Sequence, residues 1–279
     1  MKLYRISWLR AIVLPLLKRF NPGDVTVRHH YTGDPVRLHA FHHKGYWYHG
    51  ANRERDAMNT FRQITPRGGT VIEVGGHIGY IALYFAKLVG PEGQLHVFEP
   101  GPNNLPYIRR NVGDHDNITL CEMGVGAEPG ELTLYVDDLT GQNNSFIQDF
   151  EILAINKQNA HVTASAQGVT TPVVTLDGYT GERDLVPDLI KIDVEGFEFP
   201  VLQGARETLR EHKPMLMVEF QREQQAIFDY LDELGYLIYD PETWRRIDRP
   251  EQLANRIQNT FCFNPEVHEA AMKRLGLRR

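Results

Sequence analysis

Only two cysteines occur among the 279 residues, Cys121 and Cys262, which excludes a disulfide framework and a zinc knuckle. Both stand in apolar, strand-like runs and read as buried free thiols, so a reducing compartment is expected. No apolar run reaches the roughly 20 residues needed to span a bilayer. The nearest approach, Trp8 to Leu17, is interrupted by Arg10 and Pro15. A basic surplus is missing as well: thirty Lys and Arg stand against thirty-six Asp and Glu, a formal charge of −6. That balance argues against general nucleic-acid binding, and no nucleic-acid partner is expected. Acidic residues are absent from the first twenty positions, which carry Lys2, Arg5, Arg10, Lys18 and Arg19. What is abundant is apolar material, 42% of the chain, enough for a sizeable core and too much for a disordered protein.

Short apolar runs recur at Thr70–Val74, Leu95–Phe98, Ile118–Glu122, Leu189–Ile192, Met215–Phe220, Leu237–Tyr239 and Thr260–Phe263. They are continuous rather than alternating, as strands buried on both faces are. Helical patterns separate several of them: Ile78–Val89, Pro102–Asn111, Val201–His212, Gln221–Leu234 and Glu251–Gln258. This alternation predicts an α/β fold with a doubly wound, mostly parallel sheet. Ahead of it, Val25-Thr26-Val27, Val36-Arg37-Leu38 and Tyr46-Trp47-Tyr48 read as short strands, and Arg53–Ile64 as a helix. Between Ile118 and Leu189 come a hairpin-like Glu131–Val136 and a polar, Asn-rich stretch to Gln167, a length that reads as a functional loop or else a disordered one.

The first regular strand ends in Glu73-Val74-Gly75-Gly76-His77-Ile78-Gly79 and runs into a helix, so glycines permit a tight turn and close approach of a ligand. Glu99 ends the next strand, where a carboxylate can accept hydrogen bonds from both hydroxyls of a ribose. The dinucleotide fingerprint G-x-G-x-x-G is absent, and the acid at Glu73 suits a cationic ligand better than a pyrophosphate.

These residues, with Val97-Phe98-Glu99-Pro100, Thr175-Leu176-Asp177 and Lys191-Ile192-Asp193-Val194-Glu195-Gly196, resemble the FkbM family of S-adenosylmethionine-dependent methyltransferases over about residues 54–221. The resemblance implies a Rossmann-like sheet of seven strands whose last runs antiparallel, here with an N-terminal helical and β extension. It also implies S-adenosylmethionine as cofactor and O-methylation of a sugar, glycolipid or polyketide-type hydroxyl. Carried over by position, Glu73, Gly75 and Gly79 would line the methionine end of the cofactor and Glu99 its ribose. Met123 and Gly124 would lie by the adenine, and Asp193 and Glu195 would face the transfer site. The family usually has Asp where Glu73 stands and commonly Asn where His77 stands.

Methyl transfer to an alcohol needs in-line alignment and a route for the hydroxyl proton, hence a base or a metal. Asp193, at a strand's carboxyl end, is the first candidate, Glu195 the second, and His77 or His161 the imidazole alternative. Glu219 completes an acidic group, and Asp193 with Glu219 could hold a divalent cation, Mg²⁺ or Ca²⁺. Asn143, Asn144 and Ser145 in the long insertion, with Glu219, suit recognition of a hydroxyl-rich acceptor, and Tyr46, Trp47 and Tyr48 suit stacking on a sugar ring or packing on the sheet edge. His29, His30, His39, His42, His43 and His49 lack a clean metal spacing and read as turn or surface residues.

The expected domains are a basic amphipathic arm (1–24), an extension (25–65), the methyltransferase body (66–265) and a tail (266–279). Leu9, Ile12, Val13, Leu16, Leu17 and Phe20 recur near helical spacing among cations. Two readings stay open for residues 1–20: docking on the protein's own body or a partner subunit in a homo-oligomer, or peripheral membrane contact that delivers a lipid-linked acceptor. The location is expected to be cytoplasmic, at the inner face of the membrane in the second case. A dinucleotide-dependent oxidoreductase and a non-catalytic binding module are the alternative functions on the same fold.

Overall fold

The computed structural model of the chain describes residues 19–137, 142–148, 167–253 and 258–277. Nearly all of the basic arm, and His161, lie outside them. The chain leads with β1 (Asp24–Arg28), β2 (Pro35–His39), a short helix α1 (Lys44–Tyr48) and α2 (Arg55–Ile64). The alternation follows as β3 (Thr70–Val74), α3 (Tyr80–Val89), β4 (Gln94–Phe98), α4 (Leu105–Val112) and β5 (Ile118–Cys121). Then come β6 (Gly124–Val125), β7 (Gly130–Val136), β8 (Gln167–Val174), α5 (Leu176–Gly181) and β9 (Leu189–Ile192). The remainder is α6 (Glu198–Gln203), α7 (Arg206–Glu211), β10 (Met215–Phe220), α8 (Gln224–Glu233), β11 (Leu237–Tyr239), β12 (Arg246–Ile247), β13 (Gln258–Phe263) and α9 (Glu269–Arg274).

Eight of these strands form one sheet in the order β12-β11-β13-β10-β9-β3-β4-β5. The run from β10 to β5 is parallel, and β13 lies antiparallel between β10 and β11. The fold is thus the expected Rossmann-like sheet with a reversed last strand, extended by the two-residue edge strand β12. The chain moves outward through β3, β4 and β5, then returns to place β9 on the other side of β3. That reversal is a topological switch point, and the crevice outside the carboxyl ends of β3 and β9 is where such sheets bind ligands.

Strand pleating sorts the side chains between two cores. Val71, Leu189, Met215 and Met217 face one, while Ile72, Val74, Ile190, Ile192, Leu216 and Val218 face the other. With both faces covered, the strands have no solvent side, which is why they read as continuous apolar runs. The same two-residue period assigns Glu73, Lys191 and Glu219 to the first face, at the carboxyl ends of β3, β9 and β10. That face is also covered by Val36 and Leu38 of β2, Tyr46 of α1, Phe61 of α2, and Ala271 and Met272 of α9. Residues ahead of and behind the sheet therefore pack into one core with it.

Three expectations are corrected and one stretch is completed. Tyr46-Trp47-Tyr48 is helical, and because a helix turns about 100° per residue only Tyr46 points inward while Trp47 and Tyr48 stay exposed. Of Glu251–Gln258, the described residues are not α-helical: a 3₁₀ turn covers Pro250–Leu253 and Gln258 pairs with Phe220 as the start of β13, while 254–257 lie outside the described residues. Val201–His212 splits into α6 and α7 because Gly204 abuts the main chain of Gly126, where a Cβ would lie 2.0 Å from its oxygen. The stretch ending at Gln167 leads into β8, which pairs with β7 and β6 in a small second sheet.

Both cysteines are buried and free. Among the histidines read as turn or surface residues, His29 and His43 are instead buried, and burial lowers them to about 4 and about 3. His29 Nδ1 accepts from the main chain of Tyr31 and Thr32, and His43 Nδ1 from that of His39, so they brace turns. No helix among the described residues is long and apolar enough to cross a membrane.

Phe61 joins α2 to the sheet by packing on Phe85 and Phe261, with ring centroids 4.6 and 5.6 Å away. Phe61→Ala is expected to cost about 3–5 kcal/mol in chemical denaturation, with the leading segment and the sheet still unfolding in one transition. Two separate transitions in the wild type would refute the shared core.

Candidate active site

The charged residues left at the carboxyl ends of the central strands are held in register. Glu73 lies directly opposite Lys191 across β3 and β9, and Glu219 opposite Asn259 across β10 and β13. Lys191 is fully buried, and its Nζ lies 3.2 Å from Asp193 Oδ2, 3.3 Å from the Gly75 carbonyl and 3.6 Å from Glu73 Oε1. One hydrogen bond and two ion pairs thus hold the ammonium. Burial opposes its charge, but Asp193 and Glu73 outweigh that and raise its pKa. One cation then faces two acids. Burial pushes Glu73 up to about 8 against the pull of Lys191, and its Oε2 has no partner.

The glycine loop fits into this arrangement by close backbone approach. Gly75 has φ +93°, and a Cβ there would fall 1.9 Å from the Asp193 carbonyl oxygen. Any other residue would force β3 and β9 apart at the switch point. The Gly75 and Gly76 N–H groups both donate to the Phe98 carbonyl at 3.0 Å, and His77 N–H donates to Glu99 Oε2 at 2.6 Å. Glu99 Oε1 accepts from Gly101 N–H at 2.8 Å and Asn104 Nδ2 at 3.1 Å. Burial nevertheless pushes Glu99 up to about 7. An ionised carboxylate offers about four acceptor sites, so three donors leave capacity for a ligand hydroxyl.

A third group of acids lies beyond Asp193. The turn after β9 places Glu195 in the left-handed region (φ 54°), followed by Gly196 at φ 91°. Glu198 Oε1 fixes that turn by accepting from Gly196 N–H at 2.9 Å and Val194 N–H at 3.3 Å. Ser145 Oγ holds it from the other side by donating to the Glu195 carbonyl at 2.9 Å. Gln221 Nε2 donates to Glu195 Oε2 at 3.0 Å and also to Glu219 Oε2. One oxygen from each of Asp193, Glu195 and Glu219 lies within 4.8 Å of the others. Burial, then the charge of Asp193, push Glu195 up to about 8 and Glu219 well above the usual carboxylate range.

A cavity of about 370 Å³ joins the three groups. Its wall contains Glu73, Gly75, His77, Glu99, Met123, Gly124, Asn143, Asn144, Asp193, Glu195 and Glu219, all singled out in the sequence. Gly79 and Ser145 are not on the wall. Gly79, at φ +82°, lets the start of α3 pack on Ile108 and Val112, and Ser145 acts through the Glu195 turn. The amides of Asn143 and Asn144 brace their loop on Asp137 and Asn103. The His77 ring makes a 2.9 Å hydrogen bond with the Tyr46 hydroxyl.

Sequence reasoning missed Arg53 and Glu54, which enter the wall from the segment before α2, and also Phe197 and Asn259. Asn259 is found only through its register with Glu219. Nothing local marks Arg53, which reads as an ordinary helix-start residue.

Residues 73–238 match the model of the methyltransferase FkbM domain. Methyltransferase 1 of Beauveria bassiana is 29% identical over 158 residues, covering 50% of this chain and 59% of that protein. The 2-O-methyltransferase NoeI of Sinorhizobium fredii is 26% identical over 200 residues, covering 65% of this chain and 80% of its own length. A solved FkbM methyltransferase from Methylobacillus flagellatus shares 19% identity, with 70% of this chain and 43% of that one covered and a TM-score of 0.45. The chain therefore spans about three fifths of the Beauveria relative.

Glu73 supplies a pH test. Its pKa is raised in the folded state, so its contribution to stability is complete below about 4.5 and is lost as pH rises through about 8. Glu73→Gln has no proton to lose. Relative to wild type without ligand, it should gain on the order of 1–3 kcal/mol between pH 5 and 8, measured by urea denaturation. A pH-independent difference would show that Glu73 is ionised throughout.

Proposed function

The chain belongs to the FkbM methyltransferase family, and on that premise we propose that it is an S-adenosylmethionine-dependent O-methyltransferase acting on a hydroxyl of a sugar, glycolipid or polyketide-type acceptor. The observation that carries the reading is the charge of the cavity wall. Among its described residues, Glu54, Glu73, Glu99, Asp193, Glu195 and Glu219 stand against Arg53 and Lys191. Such a surplus of buried acid is costly unless a cationic ligand repays it. It opposes a pyrophosphate, so it disfavours the dinucleotide-dependent alternative.

The residues present fit the cofactor. The unpartnered Glu73 Oε2 is a ready acceptor for an ammonium, and the remaining capacity of Glu99 suits ribose hydroxyls. Met123, Gly124 and Phe146 line the same cavity as an apolar surface for a base. When bound, S-adenosylmethionine would supply a sulfonium methyl group, passed to the acceptor oxygen as the carbon–sulfur bond breaks and the neutral thioether leaves.

This chain's own part is to orient the acceptor and take its proton. Glu195 and Glu219 are joined through Gln221, burial and then the charge of Asp193 favour a proton on each, and the ionised member of the pair is the base in this reading. Asp193, fixed on Lys191, accepts from an acceptor hydroxyl and aligns it. Phe146 and Phe197, 5.1 Å apart, offer ring faces to the apolar side of a sugar while the carboxylates and amides meet its hydroxyls. The His77 ring, engaged with Tyr46, closes the wall. Gln221 directs an N–H at both acids, which suits a shared proton better than a divalent cation held by Asp193 and Glu219.

Titration calorimetry should show binding of S-adenosylhomocysteine and none of NADH, with affinity lost at least about tenfold in Glu99→Ala. Equal affinity in that variant would remove Glu99 from the cofactor site, and NADH binding would favour the oxidoreductase. Methyl transfer to hydroxylated acceptors should fall about 10²–10⁴-fold in Glu195→Gln. Wild-type transfer should rise with pH to an inflection near 8, which the variant loses. Activity abolished by a chelator and restored by Mg²⁺ or Ca²⁺ would replace the shared proton by a metal.

A further inference from the structure

The cofactor proposed above ends in an amino acid, so its methionyl carbon carries an ammonium and a carboxylate together. The acids of the wall answer only the first of these. A carboxylate buried there without donors would offset the gain from the ammonium contacts.

The obvious donors are already spent. Lys191 Nζ is engaged by ion pairs with Asp193 and Glu73 and a hydrogen bond to the Gly75 carbonyl. In the glycine loop, Gly75 and Gly76 N–H donate to Phe98, His77 N–H to Glu99 and Gly79 N–H to Gly76. Among the described wall residues, Arg53 is the one other lysine or arginine.

Arg53 is held as a binding group would be. Its guanidinium lies 4.3 Å from the centre of the Tyr46 ring, whose hydroxyl in turn meets His77 of the cofactor loop. One Nη is 3.2 Å from Glu54 Oε1, while Nε is buried without a partner. The side chain keeps 20% exposure and lines the cavity. Glu54 adopts a left-handed conformation (φ 51°), which turns the chain so that both residues reach the wall. Gly45 makes the room, since a Cβ there would stand 2.6 Å from Arg53 Nη1. Arg53 lines the same cavity as Glu73 and Asp193. A planar fork with unspent N–H groups matches a carboxylate in two-point contact.

We propose that Arg53 binds the α-carboxylate of the cofactor's methionyl group, so that the segment ahead of the sheet completes the cofactor site. This rests on the S-adenosylmethionine reading and adds a residue to it. The same guanidinium facing an anionic acceptor is the competing outcome that the experiment separates.

Calorimetry on the full chain would compare S-adenosylmethionine, its decarboxylated analogue and 5′-methylthioadenosine, which lacks the amino-acid end. Wild type should prefer S-adenosylmethionine to the decarboxylated analogue, and Arg53→Met should erase the preference by weakening the former about 10- to 100-fold. Methylthioadenosine affinity should not change, which also shows that the variant is folded, and Arg53→Lys should recover part of the loss. Three results overturn the proposal: unchanged S-adenosylmethionine affinity in Arg53→Met, the same with only the acceptor KM raised, or equal weakening of all three ligands. A wild type that binds none of the three would instead overturn the cofactor reading itself.

Discussion

A single buried ammonium between two carboxylates governs the centre of this molecule. Lys191 sits on β9, opposite Glu73 on β3, and reaches forward to Asp193 and to the carbonyl of Gly75. It joins the two strands where the sheet reverses its order, and it ties the glycine loop to the strand that leads into Asp193 and Glu195. Without that cation, Glu73 and Asp193 would be two acids facing each other in a water-poor crevice, a far more costly state. The glycine at 75 belongs to the same constraint, because the lysine's reach is possible only if the loop lies against the main chain of Asp193.

One positive charge does not neutralise two negative ones. Burial, with the charge of Asp193 adding to it, is why Glu73 holds its proton without a ligand, and the same causes repeat at Glu195 and Glu219. A folded protein that keeps such groups in its interior gives up stability at neutral pH. That loss has a function if a cationic ligand restores the balance on binding. The site is thereby tuned to charge as well as shape, since a neutral or anionic nucleotide would leave the acids uncompensated.

The leading segment belongs to this design. Phe61 and Tyr46 pack into the same core as the central strands, and Tyr46 stands between Arg53 and the His77 loop. The wall of the cavity is therefore drawn from both sides of the boundary expected near residue 65. Glu198 and Ser145 do comparable work at the far side by holding the left-handed turn at Glu195.

The central strands and the glycine loop were legible in the sequence because they are local. A run such as Thr70–Val74 or Leu189–Ile192 announces a strand buried on both faces, and Gly75-Gly76 before a helix announces a turn that a ligand can approach. The acids Glu73, Glu99, Asp193, Glu195 and Glu219 were legible as residues at strand tips. Sequence alone thus determined the fold class, the order of motifs and most of the cavity wall. Other features needed the tertiary structure because they depend on which distant backbones meet. The helical turn at Tyr46–Tyr48, the break at Gly204, the pairing of Asn259 with Glu219 and the arrival of Arg53 at the cavity are set by packing partners far away in the chain. The sharing of one lysine by two acids is likewise a matter of register, since a slip of one residue in β9 would turn Lys191 to the opposite face and leave both carboxylates alone.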